Sequence, residues 1–443
     1  MARPTLALLG LGLAGLVGCQ ADIDGPTASA GSLDFTSYVA VGNSLTSGYT
    51  DGGLFNDGQA TSYPALLAQQ FAKTGKGPAS FVQPTFSTAK KDGSGYIKLQ
   101  VVNGALAPVQ PTAANNYLGE QVARTGVVLP GGDQLEAYSG TQPDNLGVPG
   151  ISVLSSVSAL TNGLAPYGAI NPFYERLLTP AEKPTKDYVT YIGQKAPTFF
   201  TCWMGNNDVL AYATAGGVVA ATNPFGGLTD TTRFGIGYRA ILTTITKNGT
   251  VKGAVANIPN VTSVPYFNTV TVTAVAAAFK AANAASPGVF IQTGTTAAPV
   301  VRLATSADLL VLTAQPIVAA GAGSTPTNPL PNQYVLDATE IASVTARTTQ
   351  LNAIIAKTAL RFKVPVLDAN TFLGGVAASG IATNGVNNTA TFASGNVFGL
   401  DGVHPTPRGY AIIANEWIRV INSYYGSSIP GVNPNDYRGV LLP

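Results

Sequence analysis

The sequence predicts an α/β protein built on a parallel sheet with helices on both faces. Two observations carry that expectation. Short apolar runs rich in β-branched and aromatic residues (35–42, 198–203, 251–258 and 364–368) alternate with segments of helical spacing (64–73, 151–160, 231–247, 337–363 and 407–424). Parallel strands need a crossover between them, and helices supply it. The second observation is compositional. The chain has 443 residues, of which 45% are apolar, so it can bury a large core. Only 10% are charged, which leaves Thr, Ser, Asn, Gln and Gly to cover the surface. A net charge of +2 with no basic run gives no reason to expect a nucleic-acid partner.

Taken in order, the chain opens with a targeting segment. Arg3 supplies a positive charge, and residues 5–16 form an apolar run too short to span a bilayer comfortably. Leu16-Val17-Gly18-Cys19 follows and resembles the lipobox of bacterial lipoproteins. That resemblance implies a signal peptide over 1–18, a lipidated Cys19 and attachment to the membrane without a spanning helix. The expected location is the bacterial cell envelope, and Gln20, in place of Asp, leans towards the outer membrane if the cell is Gram-negative. Gly10-x-Gly12-x-x-Gly15 satisfies a dinucleotide-binding pattern, but it lies inside the apolar run with no strand before it, so no nucleotide is expected. Residues 19–33 read as a lipidated cysteine and flexible tether, long enough to hold the domain ~20 Å from the surface. A single domain over 34–443 follows.

The strand at 35–42 runs into Gly42-Asn43-Ser44-Leu45, and a serine just past a strand can expose its hydroxyl at the sheet's carboxyl edge. Residues 64–73 read as a helix with Pro64 near its start. Residues 76–142 mix short apolar runs with Gly, Pro and Asn clusters and read as an insertion of hairpins or irregular chain. Asn145 to Gly150 leads directly into the helix expected at 151–160, where a glycine N–H can point at an anion. The strand at 198–203 ends in Gly205-Asn206-Asn207-Asp208. Asp208 reads as a cap for the helix after it, and Cys202 as a buried, inert thiol. Helix 231–247 and strand 251–258 precede a second insertion at 268–335. A long helix at 337–363, a strand at 364–368 and an amphipathic helix at 407–424 complete the set.

His404 is the only histidine in the chain, which excludes zinc sites built on two or three histidines and any relay between histidines. Asp401, three residues earlier in a Gly- and Pro-rich turn, can accept its Nδ1–H and leave Nε2 free as a base. The four turns offer complementary parts: a hydroxyl, a glycine N–H, a side-chain amide and an Asp–His pair. In an open parallel sheet such turns gather along one edge, although hundreds of residues separate them.

In this order the four turns resemble the four blocks of the SGNH hydrolases, also called GDSL esterases and lipases. Gly42-Asn43-Ser44-Leu45 matches the nucleophile block with Asn43 in place of the usual Asp. Gly150 matches the second-block glycine, Asn207 the third-block asparagine, and Asp401-x-x-His404 the last block. The resemblance implies a three-layer, flavodoxin-like sheet and hydrolysis of carboxylic esters without a cofactor or metal. Ser44, Asp401 and His404 would be catalytic, and the oxyanion hole would comprise the N–H groups of Ser44 and Gly150 and the amide of Asn207. Its implied partner is a small-molecule, lipid or glycan ester. A deacetylase-type carbohydrate esterase and a non-catalytic ligand-binding lipoprotein stay open as alternatives. The absence of any G-x-S-x-G elbow speaks against an α/β-hydrolase.

Overall fold

Four parallel strands, β1 (Tyr38–Gly42), β2 (Phe199–Trp203), β3 (Lys252–Ala256) and β4 (Val366–Leu367), lie side by side in that order in a computed structural model. The structure describes residues 27–102, 104–109, 122–129, 132–157, 171–183, 185–220, 223–295 and 298–443. The leader expected at 1–18 and the lipidation site expected at Cys19 lie outside these residues. None of the described helices is long and apolar enough to cross a membrane.

Residues 144–148 extend the sheet beyond β1. Ala40 N–H donates to Asp144 O at 2.9 Å, Leu146 N–H to Ala40 O at 2.8 Å, and Val148 N–H to Gly42 O at 3.0 Å. With this edge segment counted in chain order, the spatial order is 2-1-3-4-5, the flavodoxin-like arrangement. The chain leaves β1 for the edge segment on one side and leaves β2 for β3 on the other, so a crevice opens at the carboxyl ends of β1 and β2.

Strands buried on both faces must be apolar on both, and these are. Val39, Val41, Phe200, Cys202 and Val255 point into one core with Tyr238, Ile241 and Leu242 of one helix and Leu351 and Ile355 of another. Those helices, α4 (Thr231–Ile245) and α5 (Ala338–Phe362), cover that face. Tyr38, Ala40, Phe199, Trp203 and Ala254 point the other way. They meet Tyr63, Leu66 and Phe71 of α2 (Tyr63–Ala72) and Trp417 and Ile421 of α6 (Pro407–Tyr425). The result is three layers.

The helix ends follow from local chemistry. Asp337 accepts the N–H groups of Thr339 and Glu340 while Glu340 returns to Asp337 N–H, a reciprocal cap for α5. Thr406 caps α6, with Pro407 in its first turn. The helix expected at 151–160 is reduced, among the described residues, to Val153–Ser156, because Ser152 caps it.

Within 76–142 lie two antiparallel hairpins, Lys98–Val102 with Ala105–Val109 and Arg124–Leu129 with Gly132–Leu135. Within 268–335 lie a helix, Val272–Ala282, and the hairpin Phe290–Thr295 with Ala298–Leu303. Val289, Ile291, Leu310 and Leu330 of this second segment join the core under α4 and α5. Of the tether expected over 19–33, the described end is docked on the domain. Ser29 and Ser428 exchange backbone hydrogen bonds at 3.2 and 2.9 Å, and Ala30 and Leu33 are buried, so the chain is docked from Ser29 onward.

The face under α2 and α6 is sealed by Tyr63, Trp203 and Trp417, whose ring centroids lie 5.4–6.2 Å apart. Trp417 is fully buried. Trp417→Ala should therefore cost about 3–5 kcal/mol in a urea titration. A loss under ~1 kcal/mol would mean that this layer does not unfold with the rest.

Candidate active site

Gly42 closes β1 and lets the chain turn at once into α1 (Ser44–Ser47). A side chain there would sit 1.9 Å from Thr46 Oγ1 and 2.8 Å from Trp203 O, so the turn admits only glycine. Asn43 Oδ1 accepts Leu45 N–H at 3.1 Å and caps the helix. Ser44 then occupies the first helical position at the carboxyl end of β1, 7% exposed. The substituted Asn43 thus keeps the cap; its Nδ2 is buried without a partner.

Asp401 and His404 approach the same crevice from the turn before α6. His404 Nδ1 lies 2.8 Å from Asp401 Oδ2, both side chains being 14% exposed. Asp401 Oδ1 accepts the backbone N–H groups of Val403 and His404, each at 2.8 Å, and Oδ2 also accepts Gly52 N–H at 2.8 Å. Burial pushes the Asp401 carboxyl up, but the neighbouring imidazole and the N–H groups outweigh it and hold the acid below its ordinary value. It is ionised at neutral pH and selects the imidazole tautomer with the proton on Nδ1, leaving Nε2 as the basic nitrogen. Gly402 has φ +70°, and a side chain there would meet Tyr266 N at 2.9 Å. His404 and Ser44 line one pocket, together with Asn206 and a set of apolar side chains.

Gly150 and Asn207 are brought to neighbouring positions. Asn207 Nδ2 donates to Ile151 O at 2.8 Å, which fixes the amide beside the Gly150 turn. Gly150 is exposed at φ +79°, and among the described residues its N–H has no acceptor. It stands two residues before the Ser152 cap, not directly at the start of a helix as expected. The expected role of Asp208 also needs correction. It lies in the first turn of its own helix, α3 (Asn207–Thr214), and caps another: its carboxylate accepts Val153 N–H at 2.7 Å and Leu154 N–H at 3.3 Å. Asp208 therefore ties the Asn207 turn to the Gly150 turn. Cys202 is buried in the core and burial pushes its thiol up, which makes it inert.

Several contributors escape a reading of the sequence. Tyr49 packs on the His404 ring with centroids 4.6 Å apart, and its hydroxyl donates to Gly52 O at 2.6 Å. Asp51 Oδ1 accepts Leu400 N–H at 2.8 Å, one residue before Asp401. Burial pushes the Asp51 carboxyl up to about 6, against Leu400 N–H and Arg438. The Gly48–Gly53 stretch is legible as a turn, but no local pattern names Asp401 or His404 as its partners.

Asp208 carries a pH signature. Burial pushes its carboxyl up to about 6 from an ordinary 3.8, despite the two amide hydrogen bonds. Between those values the folded protein keeps a proton that the unfolded chain has released. Its contribution to stability therefore falls as pH rises from about 4 to about 6 and is level above that. The melting temperature of the wild type minus that of Asp208→Asn should shrink across that interval. Parallel profiles for the two proteins would show instead that Asp208 is ionised in the fold throughout.

No curated protein matches this sequence. The family model for the GDSL-like lipase/acylhydrolase matches residues 38–417. That span begins at β1, ends within α6, and takes in all four turns. The chain belongs to the GDSL-like lipase/acylhydrolase family, whose members hydrolyse esters.

Proposed function

We propose that this protein is a serine esterase acting on carboxylic esters, with Ser44, His404 and Asp401 as its triad. One observation carries the reading. The only histidine in the chain is held through Nδ1 by an ionised aspartate and shares a pocket wall with a serine at the first position of a strand-end helix.

The chemistry follows from those positions. As Ser44 Oγ adds to the ester carbonyl, His404 Nε2 takes the hydroxyl proton, and Asp401 stabilises the imidazolium. The oxyanion is received by the N–H groups of Ser44 and Gly150 and by the Asn207 amide hydrogen not used by Ile151. His404 then gives its proton to the leaving alcohol. Water, activated by the same nitrogen, releases the acid from Ser44. Cys19 would carry the lipid that tethers the enzyme to the bacterial envelope.

A second reading, a carbohydrate esterase, draws on a wide groove of about 910 Å³ lined by Ser263, Asn268, Thr269, Thr389, Thr391 and Phe392, among others. It adjoins the Ser44 pocket, since Val264 and Leu373 line the pocket while their neighbours Pro265 and Gly374 line the groove. Uncharged hydroxyls and amides beside one aromatic ring suit a sugar as the alcohol portion.

Hydrolysis of p-nitrophenyl acetate and butyrate should be lost in Ser44→Ala. Equal rates for the two proteins would leave a binding protein on this fold. Asn207→Ala should lower kcat by about 10²–10³-fold with KM little changed, the loss expected for one oxyanion donor. Wild-type turnover in that variant would remove Asn207 from the mechanism. Acetylated xylan hydrolysed faster than acyl glycerides would favour the second reading over a lipase.

A further inference from the structure

Among the described residues, Asn206 has no partner for either end of its amide. It is 4% exposed, and neither Nδ2 nor Oδ1 meets a hydrogen-bonding group there. Asn206 precedes α3 with a backbone already helical (φ −59°, ψ −44°), so its side chain is not used as a cap. The adjoining side chains are all engaged, Asn207 with Ile151 O and Asp208 with Val153 and Leu154. Asn206 is also one of the residues lining the pocket that holds Ser44 and His404.

Apart from Asn206 and those two residues, every side chain lining the pocket is apolar, Leu45, Leu210, Val261, Val264, Leu373 and Phe398 among them. The cavity is about 40 Å³. A water-sized group takes roughly 10–15 Å³, so the space suits about three or four heavy atoms. An entirely hydrocarbon chain of that size would leave the buried amide unpaired at both ends, which is costly.

We propose that this pocket is the site for a short acyl group bearing a hydroxyl, and that Asn206 selects the substrate by pairing with that hydroxyl. The proposal rests on the esterase reading above. A hydroxyl both donates and accepts, so it can use Oδ1 or Nδ2, whereas an ether or a carbonyl can use only Nδ2. The acyl portion is assigned here because it stays on Ser44 through both half-reactions. The alcohol must leave and water must enter, and both need an open route. A walled pocket against Ser44 suits the group that stays. A site that hydrogen-bonds a substrate hydroxyl discriminates strongly against the analogue lacking it.

The test compares p-nitrophenyl butyrate with its 2-, 3- and 4-hydroxy analogues on the full-length protein. At least one hydroxylated ester should exceed butyrate in kcat/KM by tenfold or more, and Asn206→Leu should reverse that order while still hydrolysing butyrate. A wild type that favours butyrate over all three analogues, or an unchanged order in Asn206→Leu, would overturn the proposal. Calorimetry on Ser44→Ala with butyramide and the hydroxybutyramides reads the pocket without turnover. Should the wild type hydrolyse none of the esters, the esterase reading fails. Tighter binding of a hydroxybutyramide than of butyramide would then still support the pocket, and equal binding would overturn it as well.

Discussion

The carboxylate of Asp401 is the point on which the site depends. Four N–H groups converge on its two oxygens at 2.8 Å: Gly52, Val403, and both the backbone and the ring of His404. Three come from its own turn, but Gly52 lies 349 residues away in sequence. Holding an anion in a partly enclosed site requires that its lone pairs be met, and here each oxygen has two donors. The same bonds that keep Asp401 ionised fix the plane and tautomer of His404. They also pin the loop after Ser44 to the turn before α6.

That loop is fastened at further points. Tyr410 of α6 donates its hydroxyl to Tyr49 O at 2.6 Å, and Tyr49 donates to Gly52 O while its ring lies on His404. Asp51 accepts Leu400 N–H, with Arg438 Nη1 3.7 Å from its other oxygen. Residues 49–52 and 400–410 therefore form one hydrogen-bonded unit across the crevice. The entropy of bringing such distant segments together is met by the sheet and by the packing of α2 against α6, which sets both segments down at one edge. Asp208 does the equivalent work on the opposite wall by joining the Asn207 turn to residues 153 and 154.

What could be read from the sequence was what is encoded locally. The strands ending at Gly42 and Trp203 and the helices α4, α5 and α6 are written in periodicity and caps, so their existence and order were legible. Asp401 and His404 were legible because three residues in one turn suffice to pair them. The place of Ser44 was legible because the apolar run before it marks the strand whose carboxyl end it follows. The edge segment 144–148 was not, since its only strand partner is β1 and its sequence, Asp144-Asn145-Leu146-Gly147-Val148, lacks a strand's alternation. Asp208 was assigned to the wrong helix because the N–H groups it meets lie 55 and 54 residues earlier in the chain. Tyr49 and Asp51 gave no signal, because nothing within reach in sequence could reveal their partners.

Buried polar atoms without a partner among the described residues occur both beside Ser44 and away from it, where Gln59, Gln70, Asn332 and Asn388 each leave an amide oxygen unpaired. Elsewhere in the core, Trp417 Nε1 and the hydroxyls of Tyr191 and Tyr238 each lack a partner, one atom on a large ring whose burial outweighs it. Asn43 and Asn206 have no such compensation, being small amides with little apolar surface, and both flank Ser44. An unpaired buried group of this kind costs about 1–3 kcal/mol. At Asn43 the cost has a structural return. Oδ1 caps α1, and an amide avoids placing a full negative charge in a wholly buried position. At Asn206 neither amide atom has a partner among the described residues, and the residue stands in the wall of the pocket that holds Ser44 and His404, so the proposed pairing with a substrate hydroxyl would offset that cost.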